Sequence, residues 1–142
     1  EAKRFRSLAQ GAPVLLLGVH LCGTLSLHAV QMFNEAPSAI HLALKPCCLP
    51  PKIHAQRCDQ FKIGMHCFPA CHVCVDGRWR RGRWMGSAGR EEVERKFHTW
   101  AEHLYCGVTQ GGGAKTLETH QVQSTWFQNS FIFCSRAFAP HL

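Results

Sequence analysis

The sequence predicts an α/β fold: two parallel strands joined by a crossover helix, an insert hairpin, a second helix and a closing antiparallel hairpin. Three observations point to it. A short apolar run at 14–20 ends in polar residues and passes into an amphipathic segment. A second strand-like run, with Ile40, Leu42 and Leu44 alternating, completes a strand–helix–strand unit of about 32 residues. The chain closes on two strand-like runs, "LETHQVQST" and "NSFIFCSRA".

Taken in order, the first ten residues, "EAKRFRSLAQ", read as the end of a helix interrupted at Gly11-Ala12-Pro13. The strand at 14–20 follows. Gly23-Thr24-Leu25-Ser26 opens a helix, with Thr24 or Ser26 placed to accept a bond from the free amides of the first turn. Leu25, Ala29, Met32, Phe33 and Ala36 form its apolar stripe, and Pro37 ends it. The next strand runs to Lys45, where Pro46 and then Pro50-Pro51 are expected to stop the ladder. Strand, crossover helix and strand in this order give parallel strands with a right-handed connection.

Residues 52–72 read as loop with a short strand near Phe61 to Met65. "VCVDGRWRRGRWM" at 73–85 reads as a twisted hairpin turning at Asp76-Gly77 or at Arg81-Gly82. "REEVERKFHTWAEHLY" is the clearest helix, since Val93, Phe97, Trp100 and Leu104 recur at helical spacing and Glu91 and Glu92 sit near its positive end. Gly107 should terminate it. A flexible Gly111-Gly112-Gly113 leads to the last two strands, joined through Trp126-Phe127-Gln128.

Composition narrows the function classes. The 142 residues fit one domain, and 46% hydrophobic with 18% charged residues exclude wholesale disorder. No apolar stretch approaches the ~20 residues of a membrane span. The start at Glu1, without the apolar core of a secretory signal, reads as a piece of something longer. Nine cysteines are many, but the count is odd and Cys47 and Cys48 are adjacent, so reduced thiols in the cytoplasm or nucleus are expected rather than a disulfide framework. A net charge of +7 with ten further histidines favours anionic partners.

Two clusters stand in the insert. Cys71-x-x-Cys74, with His66, Cys67, His72, Cys58 and His54 nearby, has donors enough for zinc, but the second ligand pair is irregular and zinc is disfavoured there. "RWRRGRW" sets Arg78, Arg80, Arg81 and Arg83 around Trp79 and Trp84, residue types that hold phosphates and stack on unpaired bases; the competing reading is a solvated hairpin with its tryptophans turned inward.

"GVHLCGTLS" followed by "LALKPCCLPPK" resembles the class I S-adenosylmethionine-dependent methyltransferase-like proteins, including tRNA 2′-O-methyltransferases, that carry an H-x-C-G segment after the fourth strand and a P-C-C segment after the fifth. "HQVQSTWFQNSFIFCSR" resembles the antiparallel strands that finish such sheets, and the likeness covers 14–50 and 90–137. It implies a partial Rossmann-like methyltransferase sheet forming the C-terminal part of one domain over 1–142, with an irregular insert at about 52–89. His20 and Cys22 would be catalytic. Gly23, Pro46, Cys47 and Cys48 would face the cofactor, S-adenosylmethionine, and Arg78, Trp79, Arg80, Arg81 and Arg83 an RNA substrate. Methyl transfer chiefly needs the acceptor held about 3–3.5 Å from the methyl carbon and a partner for the acceptor proton, which His20 could supply. The chain departs from the family in lacking the glycine-rich turn after a first strand and the acidic residue after a second, and in placing Thr24 where a carboxylate often stands. The missing N-terminal half is therefore an expected partner, and the chain is expected to be inactive alone. The alternative is a non-catalytic, basic nucleic-acid-binding module, zinc-stabilised through Cys71 and Cys74.

Overall fold

A computed structural model describes residues 12–81, 83–109, 111, 113–120 and 127–137. The expected helix end at 1–10, the turn residue Gly82, Gly112 and the strand continuation at 121–126 lie outside the described residues.

Strand β1 (Val14–Cys22), helix α1 (Leu25–Glu35) and β2 (Ala39–Cys48) form the anticipated unit, with β1 and β2 parallel. The ladder does not stop before Pro46: β2 continues to Cys48, and Leu21 pairs with Pro46 and Cys22 with Cys48. Proline lacks only its own N–H, and register shifts between Val19 and Cys22 absorb the irregularity. The capping expectation also fails. Thr24 makes no side-chain cap bond, and the Ser26 hydroxyl donates 3.1 Å to the Leu21 carbonyl, tying α1 back to β1. Of the expected stripe Ala29, Phe33 and Ala36 are buried, joined by Leu27 and Val30, while Leu25 is exposed.

The stretch expected as loop is more ordered. It holds a short helix α2 (Ile53–Gln56), a hairpin of β3 (Gln60–Ile63) and β4 (His66–Pro69), and a 3-10 turn at Ala70–His72. Only β3 had a visible signal. β4 is too short for its alternation to stand out, and Gly64 in the left-handed region lies in the turn between the two strands.

β5 (Gly77–Arg80) and β6 (Arg83–Gly86) form the arginine hairpin, turning through Arg81, so the second of the two turn positions holds. Helix α3 (Arg90–Gly107) buries Val93, Phe97, Trp100 and Leu104, as their spacing predicts. Trp100 packs against Phe61 and Phe68 at 6.1 Å between ring centroids, which fastens the β3–β4 hairpin to the helix. The helix ends at Gly107, as expected. A Cβ at this position would lie 2.7 Å from Ile63 Cβ, so the glycine lets α3 approach β3 closely.

β7 (Lys115–Thr119) and β8 (Ser130–Ser135) close the sheet in antiparallel register, and the strand order is β1-β2-β8-β7. Arg136, just past β8, locks this edge to α1. Its guanidinium donates to the carbonyls of Thr109 and Phe33 and to Asn34 Oδ1, and lies 3.8 Å over the Phe33 ring. No described helix is long and apolar enough to cross a membrane.

The sheet is covered unequally. Leu42, Leu44, Ile132 and Cys134 are buried beneath α1 and α3, whereas Leu15, Leu17, Val19 and Phe133 on the opposite face are 38–66% exposed. Strands paired in parallel ordinarily have both faces covered. Among the described residues β1 is also an edge strand.

Candidate functional site at the strand ends

The C-terminal ends of adjacent parallel strands are where open α/β sheets place ligands. In this chain those ends are Cys22 and Cys48, direct register partners. Just before Cys22, His20 adopts φ +57°, sparsely populated for a residue with a Cβ, and has no partner in the ladder. Cys47 is likewise skipped on β2, so the two strands each insert one residue, on either side of the Leu21–Pro46 pair. Gly23, at φ +54°, turns the chain out of β1, and its N–H donates 3.1 Å to the Cys48 carbonyl.

This register gathers three thiols. The sulfurs of Cys22 and Cys48 are 3.5 Å apart, as are those of Cys47 and Cys48, and all three lie within 4.8 Å of one another. The amide of buried Gln128 donates 3.6 Å to Cys47 Sγ. A hydrogen bond from Cys48, aided by His20 beside it, lowers the Cys47 thiol to about 5. Hydrogen bonding with Cys47 and burial push Cys48 up, and burial raises Cys22.

Beside the cluster is a cavity of about 410 Å³ walled by Cys22, Gly23, Cys48, His54, Arg78 and Trp84. His54 is held by Asp59 at 2.8 Å, and Trp84 donates 3.0 Å to the Ala88 carbonyl. Of the residues singled out in the sequence, Cys22, Gly23, Cys48 and Arg78 meet on this cavity, Cys47 touches its wall through Cys48, and His20 stands exposed at the bulge. Pro46 is fully buried and does not line the cavity. Arg80, Arg81 and Arg83 project from the exposed hairpin; Trp79 belongs to β5 by its backbone and pairs with Trp84, and its side chain lies outside the described residues.

Sequence reasoning did not place His54 or Gln128 here. His54 sits in a stretch read as loop, and Gln128 is 80 positions beyond Cys48, a distance no local pattern bridges. The insert donors do not assemble: among the described residues, Cys22, Cys47 and Cys48 are the one trio of histidine, cysteine or acidic groups close enough to share an ion. Cys74 is buried, its thiol pushed up to about 11 by that burial, and Lys96 bonds the carbonyls of Cys71 and Cys74. Comparison with family models, with curated proteins and with solved structures finds no match to this chain.

Proposed function

We propose that the chain is the C-terminal part of an S-adenosylmethionine-dependent methyltransferase domain that acts on a phosphate-bearing substrate, RNA. The observation that carries the reading is positional. The H-x-C-G and P-C-C segments stand together at the C-terminal ends of two adjacent parallel strands, beside a cavity, in a sheet closed by an antiparallel pair.

The residues present fit one wall of such a site. The Gly23 turn and Cys48 would border the cofactor, which supplies the methyl group when bound. His20, exposed at the bulge, would take the proton of the acceptor. Arg78 on the same cavity would hold a substrate phosphate. The bare face of Leu15, Leu17 and Val19 and the open edge of β1 are where the rest of the domain would pack. A glycine-rich turn and a ribose-binding carboxylate would come from that part.

A second reading, a basic module that binds nucleic acid without catalysis, is favoured by one observation. Arg80 and Arg83 are direct register partners on the exposed hairpin, and none of Arg78, Arg80, Arg81 and Arg83 has a carboxylate partner among the described residues. Like charges placed opposite each other destabilise a hairpin unless an anion offsets them.

The two readings part at the coding sequence upstream of Glu1. A glycine-rich strand-to-helix turn followed by an acidic residue after the next strand supports the methyltransferase. The chain extended by that sequence should then transfer tritiated methyl from S-adenosylmethionine to RNA, and His20→Ala should lose the transfer. An upstream sequence without that turn, or an extended chain that leaves RNA unlabelled, overturns it.

A further inference from the structure

We propose that Cys22, Cys47 and Cys48 bind one zinc ion through their three thiolates, with the fourth coordination position open to the adjoining cavity. The proposal stands on the placement of the cysteines and does not depend on the methyltransferase reading.

Tetrahedral zinc with Zn–S bonds of about 2.3 Å sets its sulfurs ~3.8 Å apart. Two of the three separations are already 3.5 Å and the third is within 4.8 Å, so a metal can enter with side-chain rotation alone. A contact this close between vicinal thiols and a third cysteine from another strand has little value for packing, since two of the three are only half-buried and Cys22 is exposed. It also requires unusual backbone. The left-handed His20 and the skipped Cys47 bring all three sulfurs to one side of the strand ends, where regular alternation would send neighbours such as Cys47 and Cys48 to opposite faces.

The surroundings suit a metal thiolate. The Gln128 amide donates to Cys47 Sγ, the kind of outer contact that orients a ligating sulfur. Zinc with three thiolates carries one net negative charge, and Arg78 lies on the same cavity wall. Soft sulfur donors without a carboxylate select zinc over magnesium or calcium. On binding, the sulfurs that still carry a proton release it to solvent as their Zn–S bonds form, with no change in oxidation state. With three protein ligands the ion keeps one position for water or a substrate atom, the arrangement of a reactive rather than a closed zinc site.

The test uses the reduced, metal-free 142-residue chain titrated with Co²⁺, a spectroscopic substitute for zinc. A thiolate-to-cobalt charge-transfer band that saturates at one equivalent and is displaced by Zn²⁺ is expected. Cys22→Ser should remove the three-thiolate band. Cys22 is exposed, so this variant should keep the parent's far-ultraviolet circular dichroism, which guards against loss of fold as the cause. Gln128→Leu should weaken the metal by about 10-fold. The double variant Cys71→Ser, Cys74→Ser should leave the band unchanged. Absence of a saturable band overturns the proposal, as does a band that survives in Cys22→Ser or vanishes with Cys71 and Cys74.

Discussion

Cys22 and Cys48, 26 positions apart in the chain, are register partners across the parallel pair with their sulfurs 3.5 Å apart. Cys47 is equally close to Cys48 but adjacent to it in sequence, and a vicinal bridge is strained. Oxidised glutathione should therefore produce a Cys22–Cys48 disulfide and release two reduced glutathiones, through a mixed disulfide that the neighbouring thiol resolves. Peptide mapping after brief oxidation checks this. One equivalent of Zn²⁺ should suppress the crosslink, and a dominant Cys71–Cys74 product would contradict the expectation.

Arg136 holds α1, the segment after α3 and the end of β8 together with one guanidinium. Lysine keeps the charge but cannot reach three acceptors from one rigid fork. Arg136→Lys should lower the unfolding free energy by ~1–3 kcal/mol, read from the shift of the urea midpoint at unchanged slope. A variant with the parent's midpoint would show that the fork contributes nothing.

His103 on α3 stacks on Phe68 at 3.8 Å between ring centroids, and its Nδ1 lies 2.9 Å from His66 Nε2. Burial first, then His66 on β4 and His72 on the 3-10 turn, lower its pKa from the ordinary 6.5, while Glu102 on its own helix opposes the shift. The folded state thus keeps this ring neutral where the unfolded chain takes up a proton. The stabilisation is complete above the unfolded value of 6.5 and is lost as pH falls below it toward the lower folded value. Urea midpoints should fall between about pH 7.5 and about pH 5, and His103→Gln should flatten that fall. An unchanged slope would assign the acid sensitivity elsewhere.

Leu15 and Leu17 are 59% and 66% exposed on the uncovered sheet face, in a strand that is at the sheet edge among the described residues. Such surface promotes association. Sedimentation velocity should show self-association of the parent chain at tens of micromolar and its loss in Leu15→Lys, Leu17→Lys, whose stability should change by no more than about 0.5 kcal/mol. A monomeric parent would mean that this face is already covered.

Arg80 and Arg83 face one another across the exposed hairpin. Replacing both with glutamine should leave the chain as stable or slightly more so, because the opposed charges are gone. The same variant should bind single-stranded RNA more weakly, with a salt-dependence slope lower by about 1–2. Equal binding and equal slope would remove the hairpin from any RNA surface.

Much of the framework is written in local pattern. The strand–helix–strand unit, the α3 stripe from Val93 to Leu104 and the antiparallel closing pair all follow from hydrophobic spacing, which depends only on helix and strand geometry. The gathering of His20, Cys22, Cys47 and Cys48 at neighbouring strand ends is legible as well, once the run at 39–45 is recognised as the parallel partner of 14–20. What the sequence determined by itself, then, is the strand–helix–strand unit, the long helix α3 and the closing pair, and which end of the sheet gathers the cysteines. The tertiary structure decided the rest: that β2 passes Pro46, that paired irregularities at His20 and Cys47 turn three sulfurs toward one point, and that Gln128 and Arg78 arrive beside them. It also decided that the donors of the insert stay apart, as Cys74 is buried beneath α3. The physical reason is common to these cases. Periodicity records which face of an element is apolar, whereas register, bulges and long-range packing are set by partners tens of residues away.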